Sequence, residues 1–271
     1  IHAMRRLIVP TTGLLVLLSV TMSAQRSNRK PPPRLPAAVA PARTERPVPF
    51  KVGETLTYDV SWSTYLTAGT AVMTVKEKKP SYNSTAYYVV AEGRPTPLVA
   101  KLYSLYYKMD SLIDAYTLLP QRGSSYSEEG SRHRFRTTVF DRAAKKAFFE
   151  FRTTTSVKAD FPVSPDVQDA LSALYVLRAI PFRAGDRMTM PVSDNGENYR
   201  VQIDVGGPDR IRSPLGEMGA WRLTPTISDS KGQRVGKGIG IWLSDDARRL
   251  PLKLEAELAV GSFVLMLREA R

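Results

Sequence analysis

The sequence predicts a mainly β protein: an antiparallel, barrel-like or strongly curved sheet with two short helices, one buried against the sheet. Three observations predict it. Apolar and polar residues alternate in several short runs. Polar turns separate these runs at regular spacing, as in sandwiches and barrels. Two segments alone carry helix-start signals with helical spacing.

The first strand spans Glu54 to Trp62, with Leu56, Tyr58, Val60 and Trp62 on one face and Thr55, Thr57, Asp59 and Ser61 on the other. Ala71, Met73 and Val75 repeat the pattern after Gly69, and Tyr87 to Ala91 makes a third run. Phe135, Thr137 and Val139 form a strand, and Ala147 to Arg152 another after the polar turn at 141–146. Tyr199, Val201, Ile203 and Val205 alternate with Arg200, Gln202 and Asp204. Ile239, Ile241 and Leu243 precede a turn at Asp245-Asp246-Ala247. Leu252, Leu254, Ala256 and Leu258 follow it, and Phe263, Leu265 and Leu267 close the chain. One apolar and one wet face is what an antiparallel sheet permits.

Thr96-Pro97 supplies an N-cap and a first helical residue for a short helix through Tyr103. Ser164-Pro165-Asp166 opens the second, from Val167 to Arg178, which stops before Pro181 because the residue preceding proline avoids helical geometry. This second helix is apolar on most sides, so it belongs against the sheet. Its polar members Asp169, Ser172 and Arg178 then need partners.

The N-terminus differs in kind. After Met4, Arg5-Arg6 precede the apolar stretch Leu7 to Val20 and the small residues that follow, the layout of an export signal over residues 1–24. A cleaved signal and an uncleaved signal anchor are both open readings, since Arg26, Arg29, Lys30 and Arg34 follow at once and resist translocation. Seven of the nineteen residues from Pro31 to Pro49 are proline, so residues 25–48 read as a Pro/Arg-rich disordered spacer or a passive tail. Residues 49–271 remain as a single β domain.

Composition removes several function classes. Of 271 residues none is cysteine, which rules out disulfides, thiolate metal sites and a cysteine nucleophile. His133 is the one histidine beyond the signal, so a multi-histidine metal site is excluded too. The net charge is +13, yet residues 1–50 hold 8 Lys/Arg and 1 acid, so +7 belongs to that segment and +6 to the rest. A surplus of that size does not call for a nucleic acid partner.

Three segments, in order, resemble a known family. They are Pro49-Phe50-Lys51-Val52-Gly53-Glu54-Thr55-Leu56-Thr57-Tyr58, then Val167 through Arg178, then Trp242-Leu243-Ser244-Asp245-Asp246-Ala247-Arg248-Arg249-Leu250-Pro251. Together they resemble the bacterial exported family called domain of unknown function 3108, over about residues 48–270. The resemblance implies an exported, mainly β protein of the bacterial envelope, and it transfers no catalytic residue. The final hairpin also resembles that of curved-sheet lipid and lipoprotein carriers.

Catalytic constellations are sparse. His133 has no adjacent Gly-x-Ser-x-Gly elbow to serve and reads as a structural or surface histidine. Glu128-Glu129 and Asp245-Asp246 read as solvated turns, since neighbouring strand or turn residues seldom converge on one substrate. Gly236, Gly238 and Gly240 lead into Ile241-Trp242-Leu243 rather than a helix, so they are no phosphate cradle; they leave room beside Trp242 for close packing or a ligand. Asp169 and Arg178 read first as a helix cap and a partner for the helix dipole, with polar ligand contact as the alternative.

The expectation is a non-enzymatic protein of the periplasm or another exported envelope compartment. It would bind a lipid-like or amphipathic ligand or an envelope protein. Trp62, Asp169, Ser172, Arg178 and Trp242 are the nominated contacts. No catalytic residue, metal or cofactor is assigned, and membrane association is expected only through an uncleaved N-terminal segment. A scaffold with a filled core and a carboxylate-dependent hydrolase are the alternatives. An open apolar cavity would separate the carrier from the scaffold.

Overall fold

A computed structural model describes residues 43–62, 66–102, 105–258 and 261–271. The export signal, and the spacer up to residue 42, lie outside the described residues. Residues 43–48, assigned by proline content to the spacer, are held on the domain. Arg46 N donates to Ala115 O at 3.0 Å, and Lys78 pairs with Glu45.

The strands are β1 (Thr55–Trp62), β2 (Leu66–Ser81), β3 (Ser84–Pro95), β4 (Leu105–Asp114), β5 (Pro120–Glu129), β6 (Arg132–Asp141), β7 (Lys146–Arg152) and β8 (Ser156–Pro162). After the second helix come β9 (Arg187–Asp194), β10 (Glu197–Ser213), β11 (Gly216–Ser228), β12 (Arg234–Val235), β13 (Lys237–Ser244), β14 (Pro251–Leu258) and β15 (Gly261–Ala270). Helix α1 is Pro97–Leu102, with Val99 N donating to Thr96 Oγ1 at 3.4 Å, and helix α2 is Ala170–Ala179.

All these strands belong to one antiparallel sheet, ordered β8-β7-β6-β5-β4-β3-β2-β1-β15-β14-β13-β11-β10-β9, with β12 attached to β11. The content of strands and two short helices is as expected, but the barrel-like or strongly curved form is not. The sheet is open: its path ends on β8 and on β9, and no ladder joins them among the described residues. The reason lies in the connection between those two strands. Before reaching α2, the chain lays Gln168 along β9 in a single parallel bridge to Val192. Gln168 N donates to Pro191 O at 2.9 Å, and Ser193 N donates to Gln168 O at 2.8 Å. At this point on the edge of β9, Pro191 O and Ser193 N are therefore taken by the connection and not by a closing strand. Alternation fixes which face is buried; it carries no information on whether the end strands meet.

Helix α2 also starts later than the sequence predicts. Val167 and Gln168 are not helical, and Asp169 is the N-cap. The reading of Asp169 as a cap holds. Its carboxylate accepts from Ser172 N at 2.7 Å while Asp169 N donates to Ser172 Oγ at 2.9 Å, a reciprocal capping box. Buried Leu171, Tyr175 and Leu177 of the helix join Leu56, Ile203 and Leu267 of the sheet in one core. Contacts of α2 with β4 and β9 seat it on the sheet.

Candidate functional site

Side chains on one face of β1 run Leu56, Tyr58, Val60, Trp62, and the first two are fully buried. The cross-strand partners of Tyr58, Val60 and Trp62 on β15 are Leu267, Leu265 and Phe263. On β2 and β3 the same face ends in Gly69, paired with Pro95, and in Gly93, paired with Tyr107 of β4. Two glycines therefore stand where large side chains would fill the sheet face. The result is an apolar groove of about 450 Å³, walled by Val60, Trp62, Val99 of α1, Leu105, Tyr107 and Phe263, with Gly69 and Gly93 as floor. Pockets of this size hold small ligands. Trp62 is 41 % exposed and stacks on Phe263, ring centroids 6.4 Å apart and planes within 11°. Large apolar surface left open to solvent in one place marks a binding surface more than a fold requirement.

Gly69 and Gly93 differ in tolerance. A Cβ on Gly69 would lie 2.3 Å from Arg94 O, a clash with backbone. One on Gly93 would meet nothing nearer than Tyr107 Cβ at 3.9 Å. Gly93 is therefore the glycine of the two at which a side chain can start without a backbone clash.

The other nominated residues do not reach this groove. Arg178 is 2 % exposed and is bound in the core. Its Nη1 and Nη2 donate to Glu54 Oε1 and Oε2 at 2.6 and 2.9 Å, a bidentate pair. Its Nε and Nη2 also donate to Arg249 O and Arg248 O at 3.1 and 3.2 Å. The guanidinium further lies over the rings of Phe50 and Tyr175 at 5.5 and 5.4 Å. Trp242 folds back over its own strand: a Cβ on Gly240 would lie 2.5 Å from Trp242 Cζ3. Its Nε1 donates to Asp209 Oδ2 at 2.8 Å, and Arg222 and Lys253 lie over its ring. The room left by the alternate glycines is thus used for packing.

Asp169 lines a chamber of about 30 Å³, the scale of a water molecule, and Ser172 lies behind it in the capping box. Ser111 Oγ donates to Asp169 Oδ2 at 2.6 Å, and a Cβ on Gly123 would lie 2.8 Å from that oxygen. Burial pushes the Asp169 carboxyl up from 3.8 to about 6. Asp194 borders the chamber and is also raised by burial. Asp110 projects to the other face of β4, where it pairs with Arg122 at 2.7 Å and accepts from Ser124. Asp169 is occupied by its helix and by Ser111, so the chamber offers no room for a substrate.

The remaining candidates are dispersed. Glu128 accepts from Tyr126 Oη at 2.6 Å, while Glu129, on the opposite face, accepts from Arg134 Nη1 at 2.9 Å. Asp246 shapes its own turn, accepting from Ser244 Oγ at 2.6 Å and from Arg248 N at 3.1 Å. His133 is 59 % exposed, with Nδ1 3.0 Å from Tyr126 Oη. Among the described residues no group of three acidic or histidine side chains could hold a metal ion.

The groove residues other than Trp62 were missed in the sequence. Val60 and Phe263 were visible there only as members of apolar strand faces. The signal that distinguishes them is the pair of glycines opposite, legible only once the register is known.

Fold and site define a class: an open antiparallel sheet, a helix seated on one face, and an apolar groove beyond the helix. The chain belongs to the family described as "Protein of unknown function (DUF3108)", whose model matches residues 57–268, as the three segments implied. No curated protein matches it. A Brucella abortus protein of another family of unknown function, DUF1849, described as β-barrel-like, shares 12 % identity at a TM-score of 0.51, over 81 % of this chain and 97 % of that one. A Bacteroides fragilis protein assigned as exported, with a YmcC-like fold, shares 11 % identity at a TM-score of 0.33, over 84 % of this chain and 100 % of that one. A Parabacteroides distasonis protein assigned as a lipoprotein shares 8 % at 0.34, over 84 % and 100 %. The first of these is a likeness of fold alone.

Proposed function

We propose that the protein is an exported component of the bacterial cell envelope that binds an apolar or amphipathic ligand in the groove at Trp62 and catalyses no reaction. The groove carries this reading: about 450 Å³ of almost wholly apolar lining, continuous with the core face of β1 and β15 yet open to solvent. A scaffold would fill that face, and glycine at 69 and 93 does the reverse. A hydrolase would bring carboxylates together in a cleft large enough for substrate, whereas Asp169 and Asp194, which do come together, border a chamber of only about 30 Å³. Export is supported by Arg5-Arg6 and the apolar stretch Leu7 to Val20. Among the described residues no helix is long and apolar enough to cross a membrane.

The test is native mass spectrometry of the protein recovered from its exported compartment, with organic extraction of anything bound. A stoichiometric apolar adduct that disappears in Gly93→Phe is the expected result. A clean mass that takes up no added amphiphile contradicts the proposal. The same spectrum gives the N-terminus, and an intact signal would replace a released protein by an anchored one.

A further inference from the structure

The two ends of the sheet are finished differently. On β9 the chain lays Gln168 against the edge. On β8 no further strand pairs among the described residues, and Ser156, Val157, Lys158, Ala159 and Asp160 are exposed. Val157 is 59 % exposed, a large apolar side chain on a bare edge. Only the far end is occupied, where Asn198 Nδ2 donates to Pro162 O at 2.8 Å. An open strand edge is a template for another strand, so proteins block such edges or use them.

The ladder with β7 fixes which backbone groups are open. Thr153 N donates to Thr155 O, and Val163 N donates to Lys145 O. Between these two bonds the register is unbroken, so the odd-numbered residues of β8 exchange hydrogen bonds with β7. The N–H and C=O groups of Lys158 and Asp160 therefore point away from the sheet. When β8 pairs antiparallel with a second β8, open groups must meet open groups, which leaves few registers. Centring on Lys158 opposes two ammonium groups, and centring on Asp160 opposes two carboxylates. Centring on Ala159 instead sets Lys158 against the partner's Asp160 and Asp160 against the partner's Lys158. On the other face it sets Val157 against the partner's Phe161. The strand is thus self-complementary in charge and in apolar pairing. Among the described residues the Lys158 side chain makes neither a hydrogen bond nor an ion pair, and Asp160, which pairs with Lys146 at 2.7 Å, remains exposed.

We propose that β8 is a homodimerisation edge: two copies of the chain pair β8 with β8, antiparallel, about a twofold axis at Ala159. Main-chain bonds between residues 158 and 160 carry the contact, and the Lys158–Asp160 pairs set its register. The surface is remote from the groove at Trp62 and independent of what fills it. One short strand makes a small interface, so association is expected on the order of 0.1 mM.

The test is sedimentation equilibrium of the wild type from about 0.01 to about 1 mM, joined to single-cysteine cross-linking. The chain has no cysteine of its own. At the axis the two Ala159 Cα atoms would stand about 4.5 Å apart, within disulfide reach, whereas those of Lys158 would stand about 8–9 Å apart, beyond it. Both side chains are exposed and neither change removes a bond to β7. A monomer–dimer equilibrium is expected, with Ala159→Cys oxidising to a disulfide dimer at least about tenfold faster than Lys158→Cys. Lys158→Glu, which opposes like charges, is expected to weaken dimerisation about tenfold. A wild type that stays monomeric throughout overturns the proposal, and this result needs no variant. Equal cross-linking at 158 and 159 assigns any dimer to another surface and overturns it too, as does unchanged dimerisation of Lys158→Glu.

Discussion

The side chain of Arg178 illustrates how a buried charge is retained in this fold. Desolvating a guanidinium is expensive, and attraction to Glu54 offsets that only with good geometry and with the remaining donors satisfied. Both conditions hold, through the bidentate pair and the two backbone carbonyls. Removing one partner strands the other, so Glu54→Gln or Arg178→Met is expected to lower stability by about 3–5 kcal/mol in urea unfolding. The double change Glu54→Leu/Arg178→Met is expected to recover most of it. Equal and additive losses would show that the two charges act separately. Asp169 gives a pH signature. Burial raises its pKa from 3.8 to about 6, so the folded protein holds the proton more tightly than the unfolded chain. Its contribution is then fully present below about pH 4 and is lost as pH rises through about 6. Asp169→Asn keeps a capping side chain and removes the titration. The stability of the wild type relative to this variant is expected to fall by about 2 kcal/mol between pH 4 and pH 7. A pH-independent difference would contradict the burial argument.

At the scale of elements, α2 and β5 meet so closely that only glycine fits at 123. A Cβ there would press on the Asp169 carboxylate that caps the helix. Gly123→Ala is expected to cost about 1–3 kcal/mol, with loss of helical signal at the first turn of α2. An unchanged melting curve would mean that the two elements separate easily. This contact also explains which strands were legible. The strands β1, β2, β3, β6, β7, β10, β13, β14 and β15 carry apolar runs or alternation and are legible directly. By contrast β5 turns Gly123, Ser125 and Ser127 toward the helix and groove, so it shows no apolar period. Strand β8 is exposed on both faces and has no period to show. The turn Asn195-Gly196 between β9 and β10, with φ of 52° and 82°, carries a strong hairpin signal that reading by alternation passes over. The start of α2 was misplaced because Pro165 and Asp166 look like a helix opening, while pairing with β9 keeps the next two residues extended.

Across the whole molecule, the three segments that carry the family resemblance meet at one point. Phe50, Glu54 and Tyr58 come from the first, Tyr175 and Arg178 from the second, and Arg248, Arg249 and Pro251 from the third. Arg178 joins all three, and Tyr58 Oη donates to Pro251 O at 2.9 Å. Those segments therefore report how the fold is held together. That is why family membership and strand content were legible while the candidate site was not. The groove depends on register between strands and on two unremarkable glycines. Sheet closure is equally non-local: alternation implies a sheet, and only the pairing of β8 and β9, absent among the described residues, would close it.

A ligand site at Trp62 makes one property of the groove decisive, its occupancy by an amphiphile. Displacement of a neutral solvatochromic dye by dodecanoate, titrated in wild type and in Gly93→Phe, tests it most directly. A Cβ at Gly93 meets nothing nearer than 3.9 Å, so the variant is expected to fold, and its unfolding midpoint checks this. Saturable displacement in the wild type and at least about a tenfold loss of affinity in the variant, at equal unfolding midpoints, are expected. Identical titrations of the two proteins would contradict it.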